Sequence, residues 1–230
     1  MQSQDAASDF LFKLWPWFEA NVKRLAFGAA ILIIIVFVFS FYSYRQNQRE
    51  ITAGQELTQI DLSESSDQLA DACLKIATDY AGTAAGQRAL LQGATTLFTM
   101  GKYNDAQTQF QKFLDTYPDN FFAPQATLGV AASLDALGNA DLAVSAYEKA
   151  AGQTADANVV VNAKFALARI DESQGKLAEA ARLYGEVARA YPNTSLGSEA
   201  GLRAMELNEK LPKAPATPVP DASVPFNLSK

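Results

Sequence analysis

The chain has 230 residues, 49% of them hydrophobic, and its 25 acidic side chains against 19 basic ones leave a formal charge of −6. That length is ample for one continuous core, while an acidic balance without a basic stripe argues against nucleic acid as a partner. Histidine is absent and Cys73 is the only cysteine, which removes the usual general base, the commonest metal ligand and any intrachain disulfide.

Residues 1–24 form a short lead. Phe10, Leu11, Leu14, Trp15, Trp17 and Phe18 predict an interfacial helix lying on a membrane, interrupted or kinked at Pro16; the plainer alternative is an aromatic lead into the next segment.

Residues 25–44, from Leu25 to Tyr44, contain no charge and include the run Ile31-Leu32-Ile33-Ile34-Ile35-Val36-Phe37-Val38-Phe39. As a helix at about 1.5 Å per residue, such a segment spans roughly 30 Å, one bilayer crossing. Trp15, Trp17, Phe41, Tyr42 and Tyr44 flank it as interfacial rings do, with Lys23 and Arg24 at one end and Arg45 and Arg49 at the other. A cleaved signal peptide is the rival, but its apolar part is shorter and ends in small residues, unlike Phe41-Tyr42-Ser43-Tyr44. A buried core helix is a further rival, and the run lacks the polar face a soluble helix shows. Lys13, Lys23 and Arg24 precede the span and Arg45 and Arg49 follow it, a slight bias that places the N-terminus in the cytoplasm. In a bacterium this makes the protein a single-pass inner-membrane protein with a periplasmic repeat domain.

Residues 45–210 carry a 37-residue echo. Gly101, Gly138 and Gly175 keep that step, as do Ala106, Ala143 and Ala180, the rings Phe110, Tyr147 and Tyr184, and the set Ala89, Ala126, Ala163 and Ala200. Such a period indicates stacked units, each too small to bury its own apolar face. Within one unit Leu90, Leu91, Ala94, Leu97 and Phe98 form a first-helix stripe, Gly101-Lys102 breaks it, and Ala106, Phe110, Phe113 and Leu114 form a second.

The spacing Ala94, Gly101, Ala106, Phe110, Pro118 resembles the tetratricopeptide pattern, as do Ala131, Gly138, Ala143, Tyr147 and Ala168, Gly175, Ala180, Tyr184, Pro192. The expected fold is all-α: a transmembrane helix followed by a tetratricopeptide-like α-solenoid. The family's unit is about 34 residues, so roughly three extra residues fall in each junction after Tyr117-Pro118 and Tyr191-Pro192. Leu97, Leu134 and Asp171 replace the family's mid-helix aromatic, and Ala155 stands where neighbouring units have proline. A degenerate unit precedes the clear ones: Ile51, Leu57 and Ile60 suit its first helix, Leu69, Cys73, Ile76 and Tyr80 its second, with Glu64 in the turn-glycine place. The span is thus expected to run straight into the repeats. A half unit closes them, with Ala200, Leu202 and Met205 on the first-helix stripe. Residues 211–230 contain Pro212, Pro215, Pro218, Pro220 and Pro225, a composition that favours an extended, disordered tail.

The sequence offers no catalytic set. Cys73, in the register of Phe110, reads as a small core residue; Asp171-Glu172 are adjacent and diverge on a helix; no phosphate-binding glycine loop appears. The protein is therefore expected not to be an enzyme, and to need no metal, cofactor or small-molecule substrate. The tetratricopeptide resemblance implies that first helices line a concave groove for a peptide or partner helix. By register it places Arg88, Thr95, Phe98, Gln125, Asp135, Asn162, Phe165, Arg169 and Glu172 there; the alternative is packing between units. The clamp that some members use for a C-terminal carboxylate is not evident, because Leu91 and Leu128 take its polar places.

The layout from about residue 10 to 210, a short lead, one span and an alanine-rich repeat domain, resembles the ancillary SecYEG translocon subunit of bacteria and the repeat domain of the periplasmic cell-division coordinator. It implies a membrane-anchored scaffold that meets exported proteins or chaperones at the translocon. A structural subunit of an envelope assembly or cell-division complex is the alternative. An outer-membrane assembly lipoprotein needs a lipobox cysteine, and Cys73 lies too late for one.

Overall fold

The structure, a computed structural model, describes residues 2–60, 65–154 and 156–212, and every element among them is an α-helix. The chain divides into two compact units between Gln92 and Gly93. Glu64, Ala155 and nearly all of the Pro-rich segment lie outside the described residues.

The first unit begins with α1 (Gln2–Gln59), a helix that includes Pro16 and runs unbroken through the apolar segment into the charged residues beyond it. Pro16 therefore does not end the helix. Nothing in its most apolar stretch is buried: Leu32, Ile33, Ile34 and Phe37 are each more than half exposed. A core helix would hide these side chains, so α1 is instead one long apolar helix of membrane-crossing length.

Its last turns act as the first helix of a hairpin with α2 (Ser66–Asp79), burying Ala53 against a core that includes Ala70, Cys73 and Ile76. α2 starts with a capping box, the Ser65 hydroxyl and the Gln68 side chain each serving the other's backbone. Burial pushes the Cys73 thiol above its ordinary value, as expected of a packed, inert thiol. Three polar side chains of α1 grip the turn between α2 and α3 (Ala84–Thr99). The backbone N–H groups of Ala84 and Ala85 donate to the Glu50 carboxylate at 2.7 and 2.9 Å. Arg49 donates to the Asp79 carbonyl at 3.0 Å, and the Tyr80 hydroxyl donates to Glu56 at 2.6 Å. An anion thus sits at the start of α3 and a cation at the end of α2, each complementing the helix dipole.

The second unit comprises the end of α3, α4 (Tyr103–Thr116), α5 (Ala123–Ala136), α6 (Ala140–Gly152), α7 (Ala157–Ser173), α8 (Leu177–Ala190) and α9 (Ser195–Lys210). From α4 onward each helix packs on the next, and α5 also meets α7. Small residues allow the close crossings: Ala94, Ala106, Ala131, Ala143, Ala168 and Ala180 are all fully buried.

Two kinds of turn alternate, and both follow from the sequence. Inside each hairpin Gly101, Gly138 and Gly175 adopt φ of 77°, 81° and 77°, which favours glycine. Each closes a pair of bonds onto the ending helix: Gly101 N–H to Phe98 O and Lys102 N–H to Leu97 O, both 3.0 Å, with the same arrangement at Gly138 and Gly175. At two of the junctions between hairpins, those after α2 and α8, the extra residues of the 37-residue period form a tied turn. At Tyr191 the Thr194 N–H and hydroxyl both donate to the Tyr191 carbonyl, and the Thr194 hydroxyl then accepts from Gly197 N–H at 3.0 Å, capping α9. Tyr80, Thr83 and Gly86 repeat this in the first unit.

The closing half unit buries Ala200, Ala204 and Leu207, whereas Leu202 and Met205 are 70% and 66% exposed. The expected stripe through Leu202 and Met205 is therefore rotated: steps of four and three from Ala200 face α8, and the other two point away from it.

Candidate functional site

The first helices of the second unit present a face whose chemistry changes along the stack. Asp135 on α5 and Glu172 on α7 are 37 residues apart, as are Tyr147 on α6 and Tyr184 on α8. The Tyr184 hydroxyl donates to Glu172 at 3.1 Å and that of Tyr147 to Asp135 at 3.4 Å. Each carboxylate also meets an arginine from the next first helix, Arg169 for Asp135 and Arg203 for Glu172, the latter at 3.9 Å. Burial, reinforced by the adjoining carboxylate, pushes the Tyr184 phenol up to about 12 and that of Tyr147 well above its ordinary range. Asp135, Arg169 and Glu172 are thus engaged in ties between repeats.

At the same register of the preceding hairpin the polar pair is absent. Phe98 stands where the carboxylates stand, and Phe110 where the tyrosines stand. An apolar cleft of roughly 200 Å³ opens there, lined by Thr95, Phe98, Phe110, Gln125, Leu128, Gly129 and Ala132. Its floor depends on Gly129: a Cβ at that position would lie 2.6 Å from the Phe110 ring, so the ring packs directly on the α5 backbone. Phe98 is held from the other side by Tyr103, with ring centroids 5.2 Å apart. Apolar walls with Thr95 and Gln125 at the rim suit the side chain of a polypeptide segment.

Three of the nine groove residues expected from register, Thr95, Phe98 and Gln125, meet at this cleft. Phe165 is half-buried with its ring edge-on to Tyr184, centroids 5.2 Å apart, and packs on the core formed by α7, α8 and α9. Asn162 is exposed and its amide donates to the Asn158 carbonyl one turn back at 2.7 Å. Arg88 is exposed on α3 within the first unit.

Register reasoning missed Gly129 and Ala132, whose signal was a glycine in the interior of a helix, costly by about 1 kcal/mol unless something packs on it. It also missed a second cleft of about 280 Å³ at the starts of α5 and α7, lined by Asn120, Phe121, Phe122, Pro124, Gln125, Gln153, Thr154, Asp156 and Val159. Phe121 is 81% exposed there. Among the described residues no cluster of three or more metal-ligating side chains occurs.

Residues 16–116 match the family model described as a tetratricopeptide repeat-like domain, and residues 162–194 match a tetratricopeptide repeat model. The first match begins inside α1 and takes in its apolar stretch. No curated protein matches the sequence. Among solved structures, the nearly identical TPR-like repeats of a kinesin light chain from Podosopora anserina are 13% identical, covering 72% of this chain and 88% of their own, with a TM-score of 0.51. PcrH in complex with the chaperone binding region of PopB is 20% identical, covering 55% of this chain and 98% of its own, with a TM-score of 0.46. At 13% identity the likeness to the kinesin light chain repeats is one of fold. The chain thus carries tetratricopeptide-like helical repeats behind one long apolar helix.

Proposed function

We propose that this is a membrane-anchored, non-catalytic scaffold that binds a protein segment on the first-helix face of its second unit. The observation that carries this reading is the replacement of the tyrosine–carboxylate tie by Phe98 and Phe110, which leaves an apolar cleft with a polar rim on a tetratricopeptide-like surface. A partner offers one apolar anchor to the cleft while its backbone bonds to Thr95 and Gln125. Residues 25–44 cross the inner membrane of a bacterium, the N-terminus is cytoplasmic, and the repeats stand in the periplasm. By the layout resemblance, the partners are the SecYEG translocon, exported proteins in transit or their chaperones.

Affinity purification of the full chain from crosslinked membranes tests this. Recovery of the translocation channel together with exported proteins supports it. A fixed stoichiometric complex without such clients favours a structural subunit of an envelope assembly, and a reporter fused after Lys230 that is active only in the cytoplasm rejects the orientation.

A further inference from the structure

The clamp between α1 and the α2–α3 turn sets a height above the membrane. Glu50 lies six residues beyond Tyr44, the last residue of the uncharged segment, roughly 9 Å along a helix at about 1.5 Å per residue. In an α-helix the Cα–Cβ bonds lean toward the N-terminus, which here is the side of the apolar segment. The Glu50 carboxylate reaches the Ala84 and Ala85 N–H groups within 2.9 Å, so the start of α3 lies within one side chain's reach of Glu50. Arg49 holds the end of α2 in the same way through the Asp79 carbonyl. On each side of a bilayer the headgroup layer extends about 5–8 Å beyond the hydrocarbon.

We propose that the α2–α3 turn, residues 80–83, rests against the lipid headgroup layer of the membrane that α1 crosses, held there by Arg49 and Glu50. This rests on the reading of residues 25–44 as a span. The turn suits such a surface: from Tyr80 to Gln87 it carries no charge, a property it shares with the tied turn after α8, but among the described residues only the α2–α3 turn is bonded to the helix that carries the apolar segment. Ala81 and Gly82 are exposed and bring no bulk. Arg45, exposed on α1 one residue beyond the uncharged segment and over the Phe41 ring at 5.4 Å, is placed in sequence to meet lipid phosphate. The first hairpin is therefore mounted on the bilayer surface rather than tethered to it.

The test uses the full chain, with Cys73→Ala, in liposomes of phosphatidylcholine and phosphatidylglycerol. A fluorophore is attached through Ala81→Cys, Tyr44→Cys or Ile34→Cys in turn, and quenched by lipids bearing a nitroxide on the headgroup or at mid-chain. The expected result is mid-chain quenching at position 34 and comparable headgroup quenching at positions 44 and 81. Headgroup quenching at 81 falls several-fold in Arg49→Gln/Glu50→Gln while that at 44 is unchanged. If position 34 is quenched by mid-chain lipid but 81 by neither, or if the double variant leaves 81 unaffected, the proposal is overturned while the span stands. If position 34 escapes mid-chain quenching, the span itself fails, and the proposal with it.

Discussion

Gly197 and Gly185 are both helical glycines with opposite constraints. A Cβ on Gly197 would lie 1.9 Å from the Tyr191 carbonyl oxygen, whereas one on Gly185 would meet nothing within 4 Å. Gly197→Ala must force the tied turn apart, at a cost of about 1–3 kcal/mol. Gly185→Ala removes helix-interior glycine and gains about 0.5–1 kcal/mol. Melting temperatures that move in opposite directions bear this out. Tyr184 supplies a pH signature. Its folded phenol titrates near 12 against an ordinary 10.0, so its contribution is complete below pH 10 and is lost as pH rises toward 12. The denaturant midpoint of Tyr184→Phe should therefore fall less across that window than that of the parent chain. The turn glycines at 101, 138 and 175 were legible because one backbone requirement recurs at one interval. Gly129 was not, since what demands glycine there is a ring nineteen residues earlier in sequence, Phe110.

At the scale of elements, the hairpins hold by close crossings and a few polar ties. Ala143 is fully buried where α6 packs on α5, and Ala143→Leu is expected to overpack that crossing by about 1–3 kcal/mol; unchanged thermal unfolding would refute the register. α7 and α8 are joined by Lys164 and Glu186 at 2.8 Å, with Arg182 on the same carboxylate. The Lys164 bond holds the Glu186 carboxyl below its ordinary 4.5, so the pair stabilises above that pH and its contribution is lost as pH falls through the lowered folded value. Glu186→Gln should cost about 0.3–1 kcal/mol at neutral pH, the pair being partly solvated, and the difference should shrink in acid. Helix order and hairpin boundaries were readable because apolar stripes and glycine breaks are local. The grip of Arg49, Glu50 and Glu56 on the turn after α2 was not: its partners lie 24 to 35 residues away and leave no periodic mark.

At the scale of the molecule, one unbroken helix is followed by a repeat surface. α1 carries a long run of exposed apolar side chains, the kind of patch that marks an interaction surface, and its far end is built into the first hairpin, so the apolar helix and the first repeat form one element of the fold. The register expectation placed nine residues on one groove, whereas the second unit uses the carboxylates and arginine among them to tie repeats together and leaves an apolar cleft beside Phe98. That division was invisible in the spacing, because a position that lines a groove and one that bonds to the next helix share the same register.

The most direct test of the account places a photo-crosslinking residue at Leu128, inside the cleft, and at Ser145, exposed on α6, in the full chain in native membranes. The account predicts protein adducts at position 128 that are lost when Ala132→Trp fills the cleft, with position 145 silent. Adducts at 145 but not at 128, or adducts at 128 that survive the filling, would contradict it.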